Sequence, residues 1–351
     1  MAKLKTLIGR EAVVIWRNAV MLLLILFLPV ALGLVFATFK EVIPKSTPAS
    51  VIPETPEVSE ADMRFATYSI LSHFCSPSID SREDAFRKLS REESYFVVSV
   101  PAGMREGKGV VRVYVDSSLT PLAEVSDYVV EVLKYELGQV GFHTEIVVEK
   151  VGRRVMPIEY FAPGVVLLVL SIAGLLVIPF STVKEQEVIP RVLSSVSIAQ
   201  FITSKLIFSL LLALLQVAIF FITESVLELP VMSINPLSVF IFFITSLALT
   251  SSGLLVVFAM KLSNVSRHVC SLIFGVVVAF SGTLYPPGFL PTYLQQIPKV
   301  IPTYYALTLL RSFGVKGAEV GIFMDYMLIV ALWFILSFIL LYYFVRRFRD
   351  G

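Results

Sequence analysis

Six stretches of this chain are each apolar for about the thickness of a membrane, and no other feature narrows its fold as much. A helix needs about 20 mostly apolar residues to cross the hydrocarbon core. The stretches are 19–39, 161–183, 206–227, 237–260, 269–284 and 323–345. The fifth is short for a span. The chain has 351 residues, 56% of them hydrophobic and 16% charged, and its mean hydropathy is +0.82. Those figures belong to a polytopic membrane protein. The formal net charge of +2 gives no argument for nucleic acid as a partner.

The charges are unevenly spread. Residues 40–158 hold 14 of the 29 Lys+Arg and 18 of the 27 Asp+Glu, which leaves the remainder charge-poor, as lipid-facing helices must be. The distribution of basic residues also gives an orientation. Lys3, Lys5, Arg10 and Arg17 precede the first stretch. Lys184, Arg191 and Lys205 follow the second, Lys261 and Arg267 follow the fourth, and Arg346, Arg347 and Arg349 close the chain. With both termini cytoplasmic, all of these face inward. The first stretch is too long for a signal-peptide core and lacks a small-residue cleavage site, so it is expected to be an uncleaved anchor.

The expected fold is therefore a membrane all-α bundle of six transmembrane helices with a small α/β extracytoplasmic domain inserted. Residues 1–18 are expected to form a cytoplasmic amphipathic interfacial helix, with Trp16 at headgroup depth. The first span is 19–39, the extracytoplasmic domain 40–158, and a five-helix region 159–351. The inserted domain opens with a Pro/Ser/Thr/Glu stretch, 44–60, that reads as a linker. Residues 81–89 read as a helix capped by Ser81. Strands are expected at 95–100, 110–115 and 142–151. Residues 120–137 carry Val125, Val129, Val132, Leu133 and Leu137 at helical spacing.

Two segments stand apart from the apolar runs. Lys184-Glu-Gln-Glu-Val-Ile-Pro-Arg191 and the helix-like 192–204 form a cytoplasmic loop between two spans. Such a loop either serves topology alone or receives a push from a soluble motor. Gly282-Thr-Leu-Tyr-Pro-Pro-Gly-Phe-Leu-Pro291 and its echo Ile301-Pro-Thr-Tyr-Tyr-Ala-Leu-Thr-Leu-Leu-Arg311 mix prolines and aromatics within an apolar run. Segment 282–311 is therefore expected to be broken, re-entrant helix at an outer mouth. Broken backbone survives at membrane depth only where protein buries it or a cavity borders it. The gate residues expected there are Gly282, Tyr285, Pro286, Phe289, Leu290, Pro291, Tyr293, Pro302, Tyr304 and Tyr305.

Polar residues within spans are costly and so mark a pathway or a packing face. Gln216, Thr250, Ser251 and Ser281 are the pathway candidates, though Thr250-Ser-Ser-Gly253 also suits close helix packing. His73, His143 and His268 are scattered, so no metal site is expected. Cys75 and Cys270 lie in unlike segments and form no disulfide framework. Gly103-Met-Arg-Glu-Gly-Lys-Gly109 has one residue too few between its glycines for a phosphate loop and lacks the following Ser/Thr. No nucleophile–base pair is legible, so no catalytic residue is expected.

This layout resembles the permease subunits of type-2 ABC exporters, in the branch with a large extracytoplasmic domain between the first and second spans. The resemblance rests on the basic head 4–28, on Phe161-Ala-Pro-Gly164, and on Gly282, Pro286, Leu290, Pro291, Leu294, Pro302, Tyr304, Tyr305 and Arg311. Lys184, Glu185 and Glu187 match the charged run of the family's cytoplasmic loop, and Ser204-Lys205 is similar to its closing Gly-Lys. The family's Gly-Thr is missing, and Ser195 stands where a proline is usual.

The resemblance implies a permease that binds no nucleotide and needs no cofactor of its own. ATP and magnesium belong to a separate ABC ATPase subunit, which would press on Lys184, Glu185, Glu187, Arg191 and Ser195 in loop 184–204. It also implies a second permease half, identical or paralogous, paired through the first and fifth spans in the plasma membrane of a prokaryote. Export of an amphipathic or hydrophobic substrate is the leading expectation. The alternatives are mechanical transmission to an extracellular partner and sodium export. A secondary transporter is disfavoured, since no carboxylate is centrally placed in a span.

Overall fold

The computed structural model describes residues 47–73, 75–106, 109–119, 134–135, 138, 145–228, 232–283 and 285–350. The expected head helix 1–18, the first span 19–39 and most of the expected helix 120–137 lie outside the described residues. The described part has a small mixed sheet at one end of a helical bundle.

Five strands form the sheet: β1 (Pro48–Pro53), β2 (Ser76–Ile79), β3 (Phe96–Val100), β4 (Val110–Asp116) and β5 (Glu145–Val151). Their order is β2-β1-β3-β4-β5. Only the β3–β4 pair is antiparallel, with Phe96 opposite Val115 and Val98 opposite Val113. Helix α1 (Glu60–Arg64) and α2 (Arg82–Ser90) belong to this domain. Ser81 caps α2 as expected, its hydroxyl accepting from the Asp84 N–H at 3.2 Å. The three expected strands correspond to β3, β4 and β5.

The linker reading of 44–60 is corrected in part. β1 lies within that range, between β2 and β3, and Ala49–Ile52 are buried. Composition misled because Pro48 and Pro53 are the end residues of the strand. Proline is tolerated at strand ends, where a missing N–H interrupts little of the ladder, and four buried residues between them suffice for pairing.

Four helices among the described residues are long and apolar enough to cross a membrane: α3 (Ile158–Lys184), α5 (Ile198–Val226), α6 (Pro236–Ala259) and, within Val320–Asp350, α10. A short helix, α4 (Ile189–Ser195), joins α3 to α5, and α7 (Asn264–Phe280) is apolar but shorter. α8 (Gln296–Val300) and α9 (Pro302–Arg311) lie in the segment between α7 and α10 (Met324–Asp350). Capping fixes several starts. Ser197 and Gln200 form a reciprocal box at α5, Asn235 and Ser238 another at α6, and Pro236 and Pro302 occupy first-turn positions that need no donor.

The expected helix 192–204 is two elements. α4 ends at Ser195, Val196 is extended, and Ser197 caps α5, which starts at Ile198, eight residues before the apolar run at 206. The capping box accounts for the early start, since it satisfies the end of a helix whose first turns are only moderately apolar.

α3 contains a widened π turn at Ile172–Val177, and Gly174 within it meets Gly253 of α6. A Cβ on Gly253 would lie 2.3 Å from the Gly174 carbonyl oxygen. Small residues let membrane helices approach this closely, so Thr250-Ser-Ser-Gly253 works here as a packing face. A continuous buried core runs from the sheet (Val98, Val113) through Phe289 and Leu307 to Leu167 and Leu249 within the bundle. A second core, from Val183, Leu193, Ile202, Val257 and Val345, closes the end far from the sheet.

Candidate functional site

The sheet domain meets the bundle through three consecutive residues after α2. Arg91 caps that helix, and Glu92 adopts a left-handed backbone at φ +60. This turn aims Glu92 into the junction and sends Arg91 and Glu93 to its rim. Glu92 is 4% exposed. Its carboxylate lies 3.1 Å from the Arg311 guanidinium at the end of α9 and 3.1 Å from the Lys316 ammonium. Lys316 reaches Asp116, at the end of β4, at 3.0 Å. The Tyr160 hydroxyl of α3 donates to Glu92 at 3.4 Å, and the Arg311 guanidinium stacks over the Tyr160 ring at 4.2 Å. Two cations thus face two carboxylates in a nearly dry junction, where unpaired charge would cost several kcal/mol per ion.

Electrostatics follow from this packing. Burial alone would raise the Glu92 carboxyl, but Lys316 and Arg311 outweigh it and hold it below the ordinary carboxylate range. Burial alone would lower Lys316, but Glu92 and Asp116 outweigh it and hold its ammonium above the ordinary lysine range. At the rim, Arg91 Nη2 is 2.7 Å from Asp325, and Arg91 Nε donates to the Ile322 carbonyl at 2.8 Å. The Tyr326 hydroxyl donates to Glu93.

The segment 282–311 is broken, as its prolines imply. Gly282 sits at φ +84, a 3₁₀ turn spans Pro287–Phe289, and α8 and α9 follow. The Gly282 carbonyl accepts from Arg311 at 2.7 Å, so the buried arginine ties the sheet domain to the break. The Gly288 N–H donates to the Tyr95 hydroxyl at 3.0 Å, and Tyr95 packs on Phe289 with ring centroids 5.1 Å apart. Gly164, in the Phe161-Ala-Pro-Gly164 motif, approaches Thr283, whose carbonyl would lie 3.1 Å from an added Cβ.

The expected gate residues divide. Phe289, Leu290 and Tyr304 are buried, whereas Tyr293 is 70% exposed. Tyr285 packs on Phe289, and the Tyr305 hydroxyl donates to the Lys299 carbonyl at 2.6 Å. Pro286 leads into the 3₁₀ turn, Pro291 follows it, and Pro302 starts α9.

The pathway candidates do not converge. Ser281 bonds Thr303 beside the break, and Thr250 bonds Ser209 at 2.7 Å between α6 and α5. Ser251 is buried on α6 and Gln216 lies half-buried on α5. The Gln216 carbonyl oxygen and the Ser251 hydroxyl have no hydrogen-bond partner among the described residues. An apolar cavity of about 250 Å³ between α5 and α6, lined by Leu214, Phe221, Phe242 and Leu310 among others, includes none of the four.

At the opposite end, α4 forms a charged elbow. Lys184, Glu185, Glu187, Arg191 and Ser195 are exposed there, and Glu185 pairs with Lys205 at 2.6 Å. Ile189 and Leu193 are buried and seat the elbow on the second core.

Sequence reasoning missed Glu92, Lys316 and Asp116 as a cluster. Arg311 was legible only through the resemblance. Cys75 and Cys270 are both buried free thiols. No group of His, Cys, Asp or Glu suited to a metal occurs among the described residues.

Long apolar helices with a broken segment between two of them define a polytopic membrane protein. The family model for ABC-2 family transporter protein matches residues 19–343, and the chain belongs to that family. Members are the membrane permease rather than the ATPase and normally work with an ABC ATPase. No curated protein and no solved structure matches the chain.

Proposed function

We propose that this chain is the membrane-spanning half of an ATP-driven exporter that moves an amphipathic or hydrophobic substrate outward, using a separate ATPase subunit. The observation that carries this reading is the elbow. The turn from α3 into α4 presents Lys184, Glu185 and Glu187 to solvent, and α4 presents Arg191 and Ser195, while Ile189 and Leu193 root it in a core shared with α5, α6 and α10. A push on such an element moves the packed helices with it.

Lys184, Arg191, Lys205, Lys261, Arg267 and the arginines of the C-terminal tail share the elbow's end of the bundle, which the positive-inside tendency assigns to the cytoplasm. With a span at 19–39 and the shorter α7 also crossing, the chain would have six spans, both termini inside and the sheet domain outside. Two halves, identical or paralogous, would form the working unit. ATP and magnesium would bind the ATPase, with no cofactor in this chain. Segment 282–311 would be the outer gate, and Ser281, Thr250, Ser251 and Gln216 would border the path.

A second reading is mechanical transmission to an extracellular partner. The buried Glu92–Arg311–Lys316 cluster favours it, because movement of the broken segment would carry the sheet domain along.

Purification of the tagged chain from native membranes tests the first reading. A stoichiometric ATPase subunit is expected, with recovery reduced at least about tenfold, or 1.4 kcal/mol, by Glu187→Lys with Arg191→Glu. Repeated recovery without any ATPase would overturn it. Dye efflux from proteoliposomes holding both subunits separates export from mechanical work. ATP hydrolysis without flux of any amphipathic probe would favour the second reading.

A further inference from the structure

The end of the bundle far from the sheet holds a cavity of about 370 Å³ between α6 and α10. Phe258, Phe344 and Phe348 give it an aromatic floor, and Lys261 and Arg347 a cationic rim. Phe258 and Phe348 meet edge to face at 5.6 Å. The two cations are exposed and have no ion-pair partner among the described residues. Their neighbours Arg346 and Arg349 differ, since both pair with Asp350. Of the three tail arginines, the one lining the cavity is the one without a counter-charge among the described residues.

Lys261 holds its place at a backbone cost. α6 ends in a Schellman turn, in which the Leu262 N–H donates to Val257 at 2.8 Å and the Lys261 N–H to Phe258 at 3.0 Å. The first residue past such a cap is left-handed and usually glycine. Here it is Lys261, at φ +52. A lysine near a helix C-terminus gains from the helix dipole, but that gain is available from neighbouring positions without the left-handed backbone. The side chain at this position reaches the cavity rim.

We propose that this cavity binds an anionic phospholipid of the surrounding bilayer. The phosphate would sit between Lys261 and Arg347, and an acyl chain would run over Phe344 and Phe348. The chemistry fits on both sides: arginine and lysine provide charge-assisted donors for phosphate, and the aromatic floor suits hydrocarbon. The site needs only that α6 and α10 span the membrane, so it is independent of the export reading and of orientation.

Native mass spectrometry of the full-length protein in detergent, titrated with dioleoyl phosphatidylglycerol or dioleoyl phosphatidylcholine, tests this. The wild type is expected to retain phosphatidylglycerol preferentially. Lys261→Gln with Arg347→Gln is expected to raise its half-saturating concentration at least about tenfold, or 1.4 kcal/mol. Arg346→Gln with Arg349→Gln removes the same charge and is expected to leave retention unchanged. Millimolar inorganic phosphate should not compete. Equal retention of the two lipids, equal losses in the two double variants, or displacement by free phosphate would overturn the proposal. So would unchanged lipid retention with loss of a co-purifying protein in the Lys261/Arg347 variant, which would make the cavity a protein-docking site. Lys261→Gly guards against misfolding, because it should lose lipid preference while its Tm in lipid-free detergent rises.

Discussion

Arg311 and Glu92 are each 2% exposed at the side chain, and their charged atoms lie 3.1 Å apart although 219 residues separate them in sequence. One comes from the broken segment between membrane helices and the other from the sheet domain. Their pairing makes the two parts one body at the junction. Removing one partner of a buried pair leaves the other charge uncompensated, which costs about 3–5 kcal/mol. Glu92→Gln and Arg311→Leu are each expected to lower the Tm of the purified protein steeply. The Glu92→Gln/Arg311→Leu double variant should be less destabilised than the sum of the two singles, because neither charge is then stranded. Strict additivity in that cycle would show that the pair is not coupled.

The same cluster sets a pH dependence. Glu92 lies below its ordinary value of 4.5 in the folded protein. Its contribution is therefore complete above about that pH and is lost as pH falls through the depressed folded value. Lys316 lies above its ordinary 10.5. Its contribution is complete below that pH and is lost as pH rises through the raised folded value. Docking of the sheet domain, followed by limited proteolysis at the junction, is expected to be flat between these limits and to weaken outside them. Glu92→Gln should remove the acid limb. A steep change near neutrality in the wild type would contradict this assignment.

Much of this molecule follows local rules that a sequence displays. Apolar run length marked α3, α6 and α10 within a few residues, Ser81 marked its helix, and the prolines of 286–302 marked the break. The buried cluster was missed because its partners are distant in sequence. Glu92 sits in an ordinary-looking Arg-Glu-Glu turn, and nothing local shows that Arg311 and Lys316 will bury it. β1 was hidden because two prolines flank four core residues. Thr250 and Ser281, pathway candidates by their polarity, bond Ser209 and Thr303, neighbours that no local pattern reveals.

Gly253 is expected to tolerate no side chain. An added Cβ would meet the Gly174 carbonyl at 2.3 Å and Pro179 at 2.7 Å. Overpacking costs about 1–3 kcal/mol where side chains can yield, and here one obstacle is backbone. Gly253→Ala should lower the Tm and loosen α3 from α6. Cysteines placed across that interface should then crosslink more slowly. Gly275→Ala, where a Cβ meets nothing within 4 Å among the described residues, is the matched control and should leave the Tm unchanged or slightly raised. Equal tolerance at both positions would remove the close-packing role of the 250–253 run.

Gly288 and Tyr95 form a second contact between the sheet domain and the break. A Cβ on Gly288 would lie 2.0 Å from the Tyr95 ring, and the Gly288 N–H already donates to its hydroxyl. Tyr95→Phe keeps the ring and deletes one buried hydrogen bond, so a loss of about 1 kcal/mol is expected. Gly288→Ala should cost more, because the ring is itself fully buried and has little room to move. Tyr95→Ala should relieve that clash. A Gly288→Ala defect that persists unchanged beside Tyr95→Ala would place its cause elsewhere.

Lys261 and Gly317 both adopt the left-handed backbone, at φ +52 and φ +66. At Gly317 the chain uses the residue this geometry favours, and at Lys261 it does not. A residue with a Cβ pays about 1 kcal/mol there relative to glycine. Lys261→Gly should therefore stabilise the protein by about 1 kcal/mol, measured as a rise in Tm in lipid-free detergent. Gly317→Ala should lower the Tm by a similar amount, since an added Cβ meets no atom within 4 Å among the described residues and the backbone penalty remains. Opposite signs at the two sites are the expected result. A fall in Tm for Lys261→Gly would mean that the lysine contributes to folding more than its backbone costs, through the end of α6 itself.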